Sequence, residues 1–471
     1  MTIAGELARG IKAFRYDDLP DTAVTWAKVG ILDTVGVTLA GAGEDCVSIV
    51  KRVQGIGQGI SERANDGPCL IIGGGRAGPL DAALINGTAS HALDFDDFAG
   101  SIGGHPSVPL VPAIIALGEM TGESRAVGGR DAITAYVAGF ETESRIAHGV
   151  NFHHYEKGWH PTATLGIFGT VAASALLLDL SEEETALALC LAVSLASGVK
   201  ANFGTMTKPL HVGHSVRNGM QAALMAKEGF TANPEAFEHE QGFFNVFNGP
   251  GNFDAERIFE NWADPLDIID PGLGLKQFPC CGSTHTAINC MLELVRDNGL
   301  TPGDAADIEV LANPRRLPHT DNPDPESGLK AKFSMHYIVA RALLDGRVGL
   351  DHFEGDAYAD KEARKLMSVV RVGAHPDMPA ESDNQFGAEV IVTTTGGDKL
   401  SVRRDHELGR GPDNPMSRDE LWAKFDDCAQ RALPADSVLP LFEMLENLED
   451  ISSLSDLTTA MTPPRKEEKV G

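Results

Sequence analysis

Five side chains able to carry protons or charge, His91, Asp94, Asp96, Asp97 and His105, fall within fifteen positions of one another. They follow the Ala-rich stretch 82–93, which reads as an apolar helix, so carboxylates and imidazoles gather at a helix end. Asp94 is the candidate acid or base of the group, while Asp96 and Asp97 read equally well as capping or pairing groups. Further along, the pattern of a basic residue directly before a proline recurs at the start of apolar segments: His105-Pro106, His160-Pro161 and Lys208-Pro209. A proline at a first helical position keeps the preceding residue out of the α region, which predicts a basic group at each of these helix N-termini. Backbone donors and the helix dipole favour anions there, each terminus helping a carboxylate by about 0.3 to 1 kcal/mol. Converging, the three would hold a polycarboxylate with bases already in place; singly, each is an ordinary cap.

Other motifs lead elsewhere. Gly73-Gly-Gly-Arg-Ala-Gly78 fits G-x-G-x-x-G behind the apolar residues 70–72, with Asp94 near the place of a ribose-binding acid. Against a dinucleotide site, Pro79 follows the third glycine directly, and Ala-rich helix stands where a second strand would deliver the acid. His211 and His214 are spaced to suit a metal, yet no carboxylate or cysteine stands at a recognised zinc spacing beside them. Cys280, Cys281 and Cys290 lack the paired C-x-x-C of zinc or iron–sulfur sites. Neither a phosphate-cradling G-x-x-x-x-G-K-[ST] nor a G-x-S-x-G elbow occurs, and Lys208 alone does not make a pyridoxal phosphate site. The chemistry is expected to need no metal and no cofactor.

Elements that must position these groups are legible from periodicity. Apolar residues Val24, Ala27, Ile31, Val35 and Leu39 recur at helical spacing, and 108–119, 130–148, 161–178, 185–197 and 209–227 repeat the theme. Ser181 to Glu184 has the form of a capping box between two apolar helices that should pack as a hairpin. Beyond about residue 270 short strands enter at 307–311 and 369–372, then a hairpin of 387–395 and 400–404 around Gly396-Gly397. Helices at 284–297, 334–344 and 360–367 alternate with them, and helix returns at 417–431 and 439–448. The expected architecture is mainly α: a large all-α domain from 1–268 and 405–460, an inserted α+β module at 269–404, and a charged tail at 461–471.

Composition narrows the function class. The chain has 471 residues, 42% hydrophobic and 23% charged, enough to bury a sizeable core. A formal charge of −28 opposes nucleic acid and anionic membrane surfaces, whereas basic groups inside a cleft still attract a small anion, because distant charges are screened beyond about 10 Å. The seven scattered cysteines, with no secretory leader ahead of them, predict reduced thiols in a cytoplasmic enzyme.

The segments NGTASHALDFDD (86–97), GHPSVPLVPAIIALGE (104–119), GWHPTATLGIFG (158–169), NFGTMTKPLHVGHSVRNG (202–219) and KQFPCCGSTH (276–285) together resemble the MmgE/PrpD family. Its members include 2-methylcitrate dehydratases, cis-aconitate decarboxylases and iminodisuccinate epimerases. The resemblance implies a helical domain with an inserted α+β lid, a homodimer, and a small di- or tricarboxylate substrate. It places Asp94, His105, His160 and Lys208 in the catalytic pocket, with His91, Thr207, Phe98 and Cys281 against the substrate. Two positions depart from the family's decarboxylases: Phe98 replaces a pocket threonine and Cys281 a histidine of the lid. The expected activity is therefore a cofactor-independent, dehydratase-like lyase, with an epimerase using the same α-proton chemistry as the alternative and a non-catalytic carboxylate-binding protein behind both.

Overall fold

The computed structural model describes residues 2–56, 67–122, 125–382, 384, 386–405, 411 and 414–462. The proposed charged tail therefore lies almost wholly outside the described residues. The chain forms two compact units: Met1–Leu275 with Gly411–Asp413 and Ser417–Gly471, and Lys276–Arg410 with Asn414–Met416.

In the first unit, helices α1 (Ile3–Ala13), α2 (Asp21–Gly41) and α3 (Asp45–Val53) precede a two-stranded ribbon, β1 (Cys69–Leu70) with β2 (Arg76–Ala77). Helices α4 (Pro79–Ser90), α5 (Ser107–Thr121), α6 (Gly129–Val150) and the short α7 (His153–Lys157) follow. Then come α8 (Pro161–Thr164), α9 (Gly166–Leu177), α10 (Glu182–Leu195), α11 (Thr207–Lys227) and the short α12 (Phe243–Phe247). Helices α5 and α9 are buried along most of their length, which explains their lack of a polar face. Helix α2 is long and apolar enough to cross a membrane, but 83% of that window is buried inside the protein. It carries Asp33, paired with Lys424 at 2.5 Å, so it serves here as a core helix. Ser181 accepts from the Glu184 amide, and the Glu184 carboxylate accepts from the Ser181 amide in return, making the expected capping box at the start of α10.

The ribbon corrects the expectation of a purely α domain. It also disposes of the glycine motif: Gly73, Gly74 and Gly75 all have positive φ and form the tight turn between antiparallel β1 and β2, so no parallel strand receives a nucleotide. Three further expectations shift. The helix expected over 161–178 is interrupted at Leu165, between α8 and α9. The last long helix starts at Ala435 rather than 439, because Pro434 caps it and Pro440 is tolerated inside. Helix α11 begins at Thr207, placing Lys208 inside its first turn rather than ahead of it.

The second unit holds a four-stranded sheet in the order β4-β3-β5-β6, formed by β3 (Ala305–Ala312), β4 (Val370–Ala374), β5 (Ala388–Thr394) and β6 (Lys399–Arg404). β3 pairs parallel to β4 and antiparallel to β5, and β5 and β6 make the expected hairpin. Alternate residues Ile308, Val310 and Ala312 of β3 and Ala388, Val390 and Val392 of β5 are buried with Ile288, Met291 and Leu294 of the helix His285–Asn298 and with Tyr337 and Ile338 of Met335–Asp345.

Candidate active site

Helices α4 and α11 approach closely where Gly87 of one meets Gly213 of the other, with Val216 and Thr88 packed beside them. A Cβ on Gly87 of α4 would lie 3.0 Å from the Gly213 Cα of α11, and one on Gly213 would lie 2.4 Å from the Leu84 carbonyl oxygen. The end of α4, where His91 is the cap, thus lies beside the beginning of α11. The connection from α4 to α5 is closed by backbone pairing: the Ala99 amide donates to the Gly104 carbonyl at 2.9 Å, and Phe98 and Gly274 exchange two bonds of 2.8 Å. Gly104 rests on α8, and the His105 amide next to it donates to the Thr162 hydroxyl at 3.1 Å. His160 is held at the mouth of α8 by its amide bond to the Gly198 carbonyl at 3.0 Å.

These contacts bring the three pre-proline bases to one place. Lys208 Nζ donates to Asp94 Oδ1 at 2.8 Å, and His105 Nε2 is 3.7 Å from the same oxygen. The His91 ring lies 4.7 Å edge-on from His105 and 5.6 Å, stacked, from His160. Only His160, in extended conformation before Pro161 at the first position of α8, has the expected capping geometry. His105 stands one residue further out, since Pro106 itself caps α5, and Lys208 belongs to the first turn of α11. Asp94 itself has φ +54, a left-handed conformation that costs a non-glycine residue about 1 kcal/mol or more and tends to accompany function.

Charge is distributed unevenly over the cluster. Asp94, His105 and Lys208 keep side-chain exposures of 26%, 14% and 15%, whereas His91 and Asp96 are sealed at 0%. Burial pushes His91 down to about 4 and holds His160 well below the usual imidazole range, with neighbouring Lys208 and His105 adding to both effects. Both rings are therefore neutral at pH 7. His160 Nδ1 is 3.2 Å from His211 Nδ1, and neither His160 Nε2 nor His91 Nε2, both buried, has a hydrogen-bond partner among the described residues. A buried nitrogen of this kind is open to a water or a ligand group as its hydrogen-bond partner. Phe203 packs edge-on against His160 at 4.9 Å and lies 5.2 Å from Lys208 Nζ.

The adjacent acids divide their work. Asp96 Oδ2 lies 2.7 Å from His91 Nδ1 and 3.1 Å from His105 Nδ1, while the Asp97 side chain turns to the Ser107 hydroxyl and amide at the start of α5. Burial, with Asp33 nearby, pushes Asp97 well above the ordinary carboxylate range. Sequence reasoning treated both as caps or pairs and missed that Asp96 bridges two imidazoles; their D-F-D-D spacing was the available signal. His211 also went unassigned to the cluster, because its spacing to His214 suggested a metal; instead His211 meets His160 and His214 points to solvent. Ligand atoms of His91, Asp94, Asp96 and His105 lie within 4.8 Å of one another, so these four have the geometry to hold an ion. The hydrogen bonds just described already engage both Nδ1 atoms.

Of the expected substrate contacts, Thr207 opens α11 beside Lys208 and Phe98 packs its ring on Gly274, where a Cβ would come within 2.6 Å. Cys281 belongs to the second unit, capping the turn Gly282–Thr284. None of the seven cysteines is bonded to another, and burial pushes Cys280 up to about 12.

The chain thus has a helical unit carrying a His–Asp–Lys cluster at helix ends, and an α+β unit. The chain belongs to the MmgE/PrpD family: its N-terminal domain matches residues 5–256 and its C-terminal domain residues 278–450. Among curated proteins, the chain is similar to cis-aconitate decarboxylase of Homo sapiens, 30% identical over 475 residues covering 99% of this chain and 96% of that protein. The Mus musculus enzyme of the same name is 28% identical over 99% of this chain and 95% of its own length. The Aspergillus terreus one is 24% identical over 98% and 96%.

Proposed function

We propose that the chain is a cofactor-independent lyase that acts on a small tricarboxylate by moving a proton next to a carboxylate. The observation that carries this is the pair of buried, unpartnered Nε2 atoms on His91 and His160 beside the Lys208–Asp94 ion pair. A neutral imidazole with its hydrogen on Nδ1 has an Nε2 lone pair that is a competent base, and the Lys208 ammonium stands beside it to neutralise a substrate carboxylate. His160 takes the α-proton, Lys208 and His105 hold the carboxylates whose charge rises as the carbanion forms, and Asp94 orients Lys208 and His105. Acid–base help accounts for about 10² to 10⁴-fold of the rate, and the rest of the barrier must fall through the fixed positive charge around the developing enolate.

The finer reading is elimination of water from a citrate-like hydroxy acid: the C–H pair of electrons becomes the double bond, and the leaving hydroxyl departs as water with a proton from the cluster. Phe98, which differs from the pattern of the family's decarboxylases, favours it, since a phenyl ring does not replace a hydroxyl as a carboxylate partner. The second reading is decarboxylation of cis-aconitate, favoured by the names of the similar curated proteins. Citrate, 2-methylcitrate and cis-aconitate followed by NMR in deuterated water separate them. Interconversion of a hydroxy acid and its alkene supports the first reading, and carbon dioxide with itaconate from cis-aconitate supports the second. Deuterium exchange with no group lost would mean an epimerase, and no exchange in any acid would overturn the proposal.

A further inference from the structure

Asp96 has no place in the steps above, yet its carboxylate is fully buried between two imidazoles of the cluster. One oxygen, Oδ2, faces Nδ1 of both His91 and His105. An ionised carboxylate only accepts, so each Nδ1 facing it must carry the hydrogen, and a neutral imidazole then has its lone pair on Nε2. His105 Nδ1 is further tied by the Asp97 carbonyl oxygen at 2.6 Å, another acceptor that admits no other tautomer. His91 has no such second tie: Asp96 alone decides which of its nitrogens is protonated. Burial by itself would raise the Asp96 carboxyl, but His105 and His91 hold it well below the ordinary range, so it stays ionised in this enclosure.

We infer that Asp96 is a positioning residue that keeps hydrogen on Nδ1 of His91 and, with the Asp97 carbonyl, on Nδ1 of His105, so that any proton exchange or ligand contact of either ring falls to its Nε2. The inference rests on the proposed proton chemistry for its consequence, but its geometry stands without it. Asp96 touches no reacting atom; it acts through the rings. It is the acceptor oxygen, more than the charge, that sets the tautomer, because an amide oxygen at the same place can receive both Nδ1–H groups.

The test compares Asp96→Asn, which keeps an acceptor of the same shape, with Asp96→Leu, which keeps the branched shape and loses the acceptor. Two-bond nitrogen–proton NMR of ring-labelled histidine reads each tautomer directly and needs no substrate. In the wild type and Asp96→Asn, His91 and His105 are expected with hydrogen on Nδ1; in Asp96→Leu, His91 is expected to move its hydrogen to Nε2 while His105 keeps its own. A wild-type protein with hydrogen on Nε2 of His91 overturns the inference even if no variant folds. So does an Asp96→Leu protein whose His91 tautomer is unchanged, which would leave Asp96 a merely structural group. Absence of turnover on any tricarboxylate would sink the proposed reaction and leave the NMR result to decide this one.

Discussion

Lys208 Nζ and Asp94 Oδ1 meet at 2.8 Å across 114 residues of chain, and the aspartate does so in a left-handed backbone conformation. The ion pair is partly exposed, so it contributes little to stability, and on the proposed reading a substrate carboxylate exchanges with it. A contact strained in the backbone and weak in solvent agrees with the substrate-binding role proposed for it.

Lys208→Ala should therefore abolish measurable turnover, a loss of at least about 10²-fold from removing a preorganised charge, while the melting temperature moves by no more than a few degrees. His160→Ala should lose turnover similarly. Activity near the wild-type level in either variant, with the fold intact by circular dichroism, would remove that residue from the mechanism.

Substrate binding should take up protons. His91 and His160 are neutral in the empty site because burial and the neighbouring Lys208 and His105 disfavour charge, and a tricarboxylate brings the opposite influence to the same place. Calorimetry with the unreactive tricarballylate at pH 7, in buffers of different ionisation enthalpy, should give an apparent binding heat that depends on the buffer in the sense of proton uptake. A buffer-independent heat would contradict this.

Stability should fall as the pH drops from about 6.5 to 5. A histidine whose folded pKa is depressed contributes stability that is complete above its unfolded value and is lost as the pH falls towards the folded one. His91 and His154, each near 4, behave this way, as do His160, His211 and His214, whose pKa values are also lowered. The raised carboxyls of Asp97, Glu141 and Glu143 act in the opposite sense, contributing below the usual carboxylate range and losing that contribution as the pH rises. The histidines are more numerous, so the urea midpoint should decline across this window; a flat or rising midpoint would show that the buried acids dominate.

Gly104→Ala should damage catalysis more than the fold. A Cβ there would lie 2.8 Å from the Thr162 hydroxyl and 2.9 Å from its amide nitrogen, forcing the loop that carries His105 away from α8. Overpacking of this kind costs about 1 to 3 kcal/mol, and an ångström of displacement at a catalytic group can cost about 10²-fold in rate. Unchanged kcat in a stably folded variant would mean that the loop adapts without moving His105.

Much of the architecture could be read in the chain because it depends on local pattern. Helical spacing in 21–41, the Ser181 capping box and the Gly396-Gly397 hairpin are each specified by residues a few positions apart, and the structure has all three. The residues that gather at the candidate site were legible too, since acids, imidazoles and a lysine in so few contexts stand out by type alone. What only the tertiary structure decided was which atoms face one another. The Gly87–Gly213 approach that sets α4 beside α11, the turn of Asp96 towards His91 and His105 while Asp97 turns to Ser107, and the meeting of His160 with His211 all join segments far apart in sequence or hang on one backbone dihedral. Adjacent aspartates are alike as letters, and it is the path of the loop after Asp94, set by pairing with Gly274 and by packing on Thr162, that gives each a different partner.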